Sequence, residues 1–208
     1  MSTRRDEEKQ QRHDAILDAA ETMFFSKGYE RSSMQDIAHE AGLSRALLYV
    51  YFTDKPAIMR GIILRAVQDL CARFAQAIAA GNTGLEQIGN IGRAYFQFSQ
   101  DKPDYFDALT QVSAFIDVHK PDALTLELAA SGEQIMHNMI YSLENGLVDG
   151  SISPERVTNP IKTAYFLRGA MHGVIMQSRL RTPGDSNYPE PVEMIEYTLQ
   201  MQKHALAP

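Results

Sequence analysis

Apolar residues recur three and four apart along almost the whole chain, and polar residues fill the positions between. Ile16, Leu17, Ala20, Met23 and Phe24 mark one face of a helix from about Glu8 to Lys27, and Gly28 supplies its stop. In "SSMQDIAHEAG", Ser33 stands as N-cap with Asp36 three residues on, and Gly42 closes a short helix. Ser44 caps "RALLYVYF", and Thr53 and Asp54 announce a further start, with Pro56 accommodated in the first turn. That fourth helix is long: Met59, Ile63, Val67, Leu70, Phe74 and Ile78 keep one face apolar until "AAGNTG". Helices follow at about 84–101, 103–118, 122–147, 159–181 and 189–205. The segments "DKPD", "HKPD", "DGSISPERVTNP" and "TPGDSNYPEP" separate them. No strand alternation and no repeat interrupts this pattern. The expected fold is all-α, with about nine helices.

The composition fits a soluble globular chain: 208 residues, 44% hydrophobic and 22% charged. A lone cysteine, Cys71, allows neither an internal disulfide nor a cysteine-based metal site; between Val67 and Phe74 at helical spacing it reads as a buried thiol. "MSTRRDEEKQQRHD" is charged and has no apolar centre, so it does not read as a signal peptide, and no apolar run approaches the roughly 20 residues that span a bilayer. A reduced, cytoplasmic protein without membrane contact is expected. The net charge of −6 gives no sign of a nucleic-acid partner, but it is unevenly spread. Residues 1–60 carry nine Lys/Arg against ten Asp/Glu, and the remainder eleven against sixteen. What decides is the face on which the cations lie.

The run "SRALLYVYFTDK" raises that question. Leu48 and Phe52, four apart, face inward; Arg45, Ala46, Tyr49 and Val50 then face out, an odd surface for water. With the preceding helix and the "AGLS" turn, this is the spacing of a helix-turn-helix: Gly42 bends, Leu43 tucks under, Ser44 caps. In a major groove the outward face makes sense. Arg45 can read guanine through two hydrogen bonds, Ala46 and Tyr49 can touch thymine methyls, and tyrosine hydroxyls can hold phosphates. Lys55 and the amides beside it are placed for a phosphate, and Ser33 and Gln35 for the backbone at the other groove edge.

The ordered run Phe24, Gly28, Tyr29, Ser33, Met34, Asp36, Ile37, Ala38, Ala41 to Ser44, Leu48, Tyr49, Tyr51, Phe52, Lys55 resembles the N-terminal signature of the tetracycline-repressor (TetR) family, over about 50 residues. The resemblance implies a homodimeric transcriptional regulator, usually a repressor, on a palindromic double-stranded operator. It implies a head at 1–55 and a ligand-sensing and dimerisation domain at 56–208. By motif position, Arg45, Ala46, Leu47, Tyr49, Tyr51 and Lys55 would contact DNA, with Ser33, Gln35 and the cap Ser44 in support. One departure stands out: Arg4, Arg5, Lys9 and Arg12 are interleaved with Asp6, Glu7, Glu8 and Asp14, so the arm is not overtly basic.

In the family the later helices form an effector pocket and a two-helix dimer surface. Here the middle helices are rich in aromatics and methionine, an adaptable lining for an apolar small molecule. Phe74, Phe98, Phe106, Phe115, Met136, Met139, Met171 and His172 are the candidates; His137 also falls within an apolar run. For the dimer, Tyr165, Gly169, Gly173 and Met176 share one side of a helix, and Met194, Tyr197 and Met201, or by another facing Ile195 and Leu199, one side of the last. Asp104, Asp107, Asp117 and Glu133 read as a solvated face rather than a cation site. No catalytic motif (GxSxG, HExxH, GxxxxGK[ST]) occurs, so no enzyme, cofactor or metal is expected. A helical protein-interaction module without DNA binding, and an activator of the same family, are the other readings.

Overall fold

The structure, a computed structural model, describes residues 4–117, 119, 121–180 and 189–208. Among these residues it is all helical. The helices are α1 (Arg4–Lys27), α2 (Met34–Glu40), α3 (Arg45–Tyr51), α4 (Lys55–Ala79), α5 (Gly84–Asp101), α6 (Pro103–Thr110), α7 (Ala123–Asp149), α8 (Pro160–Arg179) and α9 (Pro191–Leu206), with a 3₁₀ turn at Val112–Ala114. The separator read at 182–191 lies, through residue 188, outside the described residues.

Two boundaries differ from the periodicity. α1 begins a turn before Glu8, at Arg4. Asp6 and Glu7 favour a helix start, and Arg4 pairs with Glu8 at i, i+4 (3.1 Å). The helix expected to reach residue 118 stops at Thr110, whose hydroxyl turns back onto the Asp107 carbonyl (2.8 Å). The chain then tightens into i, i+3 bonds, Ala114 to Gln111 and Phe115 to Val112.

The chain forms two compact units: Met1–Ala66 with Asp104–Ala129, and Val67–Pro103 with Ala130–Pro208. The division read at residue 55 therefore falls inside the first unit, which continues along α4 and takes in α6. Its core is built from Ile16, Leu17, Phe24, Ile37, Leu48, Ile58, Ile62 and Phe106, all buried. α1 lies close on α4 at Gly61, where an added Cβ would fall 2.8 Å from Leu17 Cδ2. One turn on, the Arg65 guanidinium donates to Asp18 (2.7 Å), Glu21 (3.0 Å), and the carbonyl and carboxylate of Asp14 (both 3.2 Å). Burial works against its charge, but the bonds to Asp18 and Glu21 outweigh it and hold the proton tightly. Tyr105 of α6 donates to the same Glu21 (2.9 Å), and Arg60 of α4 holds the Phe115 carbonyl (2.9 Å) and Asp122 (2.7 Å).

In the second unit α8 packs on α9, and α5 on both. Cys71 is half-buried rather than buried; its thiol faces the Ser131 carbonyl at 3.7 Å, and desolvation raises its pKa. The start of α5 crosses α7 at Gly84, with Thr83 as N-cap. A Cβ at Gly84 would collide with the backbone of Gly146 and with the Ser142 carbonyl, so only hydrogen fits. Gly84→Ala is expected to destabilise the protein by about 1–3 kcal/mol or more, since backbone cannot move aside as a side chain can. Urea unfolding monitored by circular dichroism checks this, with Gly132→Ala, where nothing lies within 4 Å, as the tolerant control.

Candidate nucleic-acid interface

The two short helices are fixed at every end. Ser33 Oγ accepts from the Asp36 amide (3.2 Å) while Asp36 accepts from the Ser33 amide (2.9 Å) and hydroxyl (2.6 Å), a closed capping box that holds the Asp36 carboxyl below its usual range. α2 ends through Gly42 at φ +66°. There the Gly42 amide meets the His39 carbonyl (3.0 Å) and the Leu43 amide meets Ala38 (2.8 Å), the paired bonds of a Schellman stop. Ser44 Oγ then accepts from Leu47 N (3.2 Å) and opens α3. Such a helix has little freedom to rotate.

Leu48 and Phe52 are buried, and His13 of α1 stacks on Phe52 with ring centres 4.8 Å apart. Arg45, Ala46, Tyr49 and Val50 are exposed, Tyr49 at 42% and Val50 at 77%. Arg45 Nη2 donates to the Tyr49 hydroxyl (3.3 Å), and its guanidinium stands 5.5 Å from the Tyr49 ring centre. The pair thus presents a guanidinium and a phenol together, one turn apart, toward solvent. Leu47 and Tyr51 are half-buried at the edges of this face, and Gln35 is exposed on α2.

Lys55 is placed differently from the rest. Its ammonium donates to the carbonyls of Tyr29 (2.8 Å) and Ser32 (3.1 Å) and lies 4.1 Å from the Tyr29 ring centre. Ser32 Oγ in turn donates to the Gly28 carbonyl (2.9 Å). Lys55 therefore ties the first turn of α4 to the α1–α2 loop. A 26-residue separation gives no periodic signal, so the sequence could not show this tie.

The other expected residues are scattered more widely. Phe74, Phe98, Met136, Met139 and Met171 are buried in the second unit; Phe106 is buried and Phe115 half-buried in the first. His172 is half-buried, with Nδ1 2.8 Å from the Tyr95 hydroxyl, and Tyr95 packs edge-on to Phe74. Burial, aided by Arg168, lowers the His172 pKa, and burial pushes Tyr95 up to about 12, so both stay neutral near pH 7. His137 is exposed. On α8 and α9, Tyr165, Tyr197 and Met201 are exposed and Met176 and Met194 partly so. A Cβ at Gly169 or Gly173 would meet nothing within 4 Å.

Residues 16–62 match the family model described as bacterial regulatory proteins, tetR family. The chain is 32% identical to the probable HTH-type transcriptional regulator ArpR of Pseudomonas putida over 62% of its own length and 70% of that protein. To the HTH-type transcriptional activator FasR of Mycolicibacterium smegmatis it is 28% identical over 43% of this chain, and it spans only 41% of that relative's length. The solved TetR family transcriptional regulator PfmR from Thermus thermophilus shares the fold at a TM-score of 0.67 and 22% identity, covering 91% of this chain and 97% of that one.

Removing the Lys55 ammonium leaves two half-buried carbonyls without their donor. Lys55→Met is therefore expected to lower stability by about 1–3 kcal/mol, read as a fall in Tm. An unchanged melt would mean that the tie contributes nothing to the head.

Proposed function

Because the chain belongs to the TetR family of bacterial transcriptional regulators, we propose that it acts as a ligand-responsive repressor that binds a palindromic operator as a homodimer. The observation that carries this reading is the outward face of α3: Arg45 and Tyr49 stand exposed on a helix capped at its start and anchored by Leu48. Arg45 would read a guanine edge, and Ala46 and Tyr49 thymine methyls. Ser33, Gln35, Ser44, Leu47 and Tyr51 would line the flanks. Lys55 would contribute chiefly by fixing the α1–α2 loop, with its remaining hydrogen directed at a phosphate. FasR is named as an activator; the same contacts serve either sign, which follows from where the operator lies relative to the promoter.

Dimerisation would use α8 and α9. Tyr165 (60% exposed), Phe166 (68%), Tyr197 (59%) and Met201 (54%) leave large apolar surface uncovered. The open space over Gly169 and Gly173 suits close approach of a second helix. Phe166 was not among the sequence candidates, because it lies about 100° round the helix from Tyr165, off the stripe of Tyr165, Gly169, Gly173 and Met176.

The effector site would lie in the second unit around Tyr95 and His172, a neutral polar pair beside Phe74 and Met171. α4 contributes residues to both units. A shift of its second half on effector binding would change the spacing of the two recognition helices, which must match the DNA repeat. A coupling of about 1–3 kcal/mol changes operator affinity roughly 5- to 150-fold.

Selection of bound duplexes from a random pool tests the reading: a two-fold palindrome is the expected product, and no enriched sequence at low salt would overturn it. On that duplex, Tyr49→Ala and Arg45→Ala are expected to weaken binding about ten- to a hundredfold with an unchanged melt. The salt slope is expected to be shallow for so mixed an N-terminal arm, each neutralised phosphate adding about 0.9 to it. Gly173→Leu is expected to shift the protein toward monomer in sedimentation velocity without loss of helix content.

A further inference from the structure

The exposure pattern divides the seven residues of α3 into lines along the helix. Leu48 points into the head, and each residue is turned about 100° from the one before. Arg45 and Tyr49 therefore stand roughly 60° and 100° round one side from Leu48, and Tyr51 and Leu47 the same angles round the other. Ala46 and Val50 lie roughly 160° away, on either side of the point opposite Leu48, and make the crest of the helix. Burial agrees: Leu47 and Tyr51 are half-buried, Ala46 and Val50 exposed. Val50, at 77%, is more exposed than any other large apolar side chain described in the first unit, where Leu126 follows at 58%.

Local stability gives no reason for a valine at that place. Valine forms helix less readily than alanine, and so exposed a side chain has little to pack on. What the crest offers a partner is narrow. Neither Ala46 nor Val50 can donate or accept a hydrogen bond through its side chain, and the one charged residue of α3, Arg45, is drawn to the Tyr49 hydroxyl on the flank (3.3 Å). A guanine or cytosine edge set against this crest would lose water from its polar atoms and gain no bond in return, whereas a thymine methyl loses only apolar exposure. Branching at Cβ also holds a valine in one rotamer within a helix, so little freedom is lost when it is covered.

We propose that Val50 is a specificity-determining residue of the operator contact, reading the 5-methyl group of a thymine in the major groove. This deepens the operator reading above and rests on it. Arg45 serves a polar base edge from the flank; Val50 extends the apolar line that Ala46 begins. The two crest residues are four apart, about 6 Å along the axis, so each meets its own methyl about two base steps from the other.

Deoxyuridine pairs as thymidine does and lacks only the methyl, so replacing the thymines of the selected palindrome one at a time tests the contact. In fluorescence-anisotropy titrations of the full chain, uracil at the position Val50 reads is expected to weaken binding about fourfold per half-site, the worth of one buried methyl. Val50→Ala is expected to bind the thymine duplex more weakly by a similar factor and to lose the uracil penalty at one position per half-site, while the penalty at the Ala46 thymine persists. Its melt is expected to be unchanged or slightly raised, so the lost response cannot come from unfolding. A palindrome with no thymine in its half-sites, one that tolerates uracil everywhere, or a full uracil penalty at every position with Val50→Ala overturns the proposal and leaves the operator reading intact. Absence of any enriched duplex removes the operator reading itself, and this proposal with it.

Discussion

The close seam between α1 and α4 sets the geometry of the head. Leu17 presses into the space that Gly61 leaves open, and one turn along Arg65 gathers Asp14, Asp18 and Glu21. Steric fit alone would allow the two helices to slide; four charge-assisted bonds from one planar guanidinium fix the register. Tyr105 joins α6 to the same Glu21, so three helices share one electrostatic centre. Without this seam, Phe52 and Leu48 would have no rigid surface to pack on, and the orientation of α3 would be free.

On that base, the recognition helix is held by local chemistry. Capping box, Schellman stop and Ser44 cap satisfy the backbone groups at the ends of α2 and α3 with donors and acceptors from within a dozen residues. The outward residues can then be chosen freely, since Arg45, Ala46, Tyr49 and Val50 contribute little to packing. A protein can change what it reads at these positions without losing its fold. Lys55 behaves in the opposite way: its charge is used inside the head, where two carbonyls and a ring surround it.

The two units differ in how they treat polarity. In the second, Tyr95 and His172 bond to each other, and burial disfavours the charged form of each, with Arg168 adding to the effect on His172. In the first, charge is used in pairs and ties: Arg65 on Asp14, Asp18 and Glu21, Arg60 on Asp122, and Lys55 on two carbonyls.

Helix content, the order of the elements and the helix-turn-helix were legible in the sequence because each rests on short-range rules: period 3.6, caps three residues apart, a glycine where φ is positive. Tyr49 and Arg45 could be singled out because an outward aromatic beside an outward arginine defies the expected polarity. The early end of α6 was not legible, since the Thr110 hydroxyl competes with the helix only once that turn has formed. Nor were the Lys55 tie or the Arg65 centre, whose partners lie 23 to 51 residues apart in the chain. Sequence by itself determined which segments are helices and which face of α3 meets solvent. Tertiary structure alone decided which charges are used up inside and which remain available, because pairing depends on distances that only packing sets.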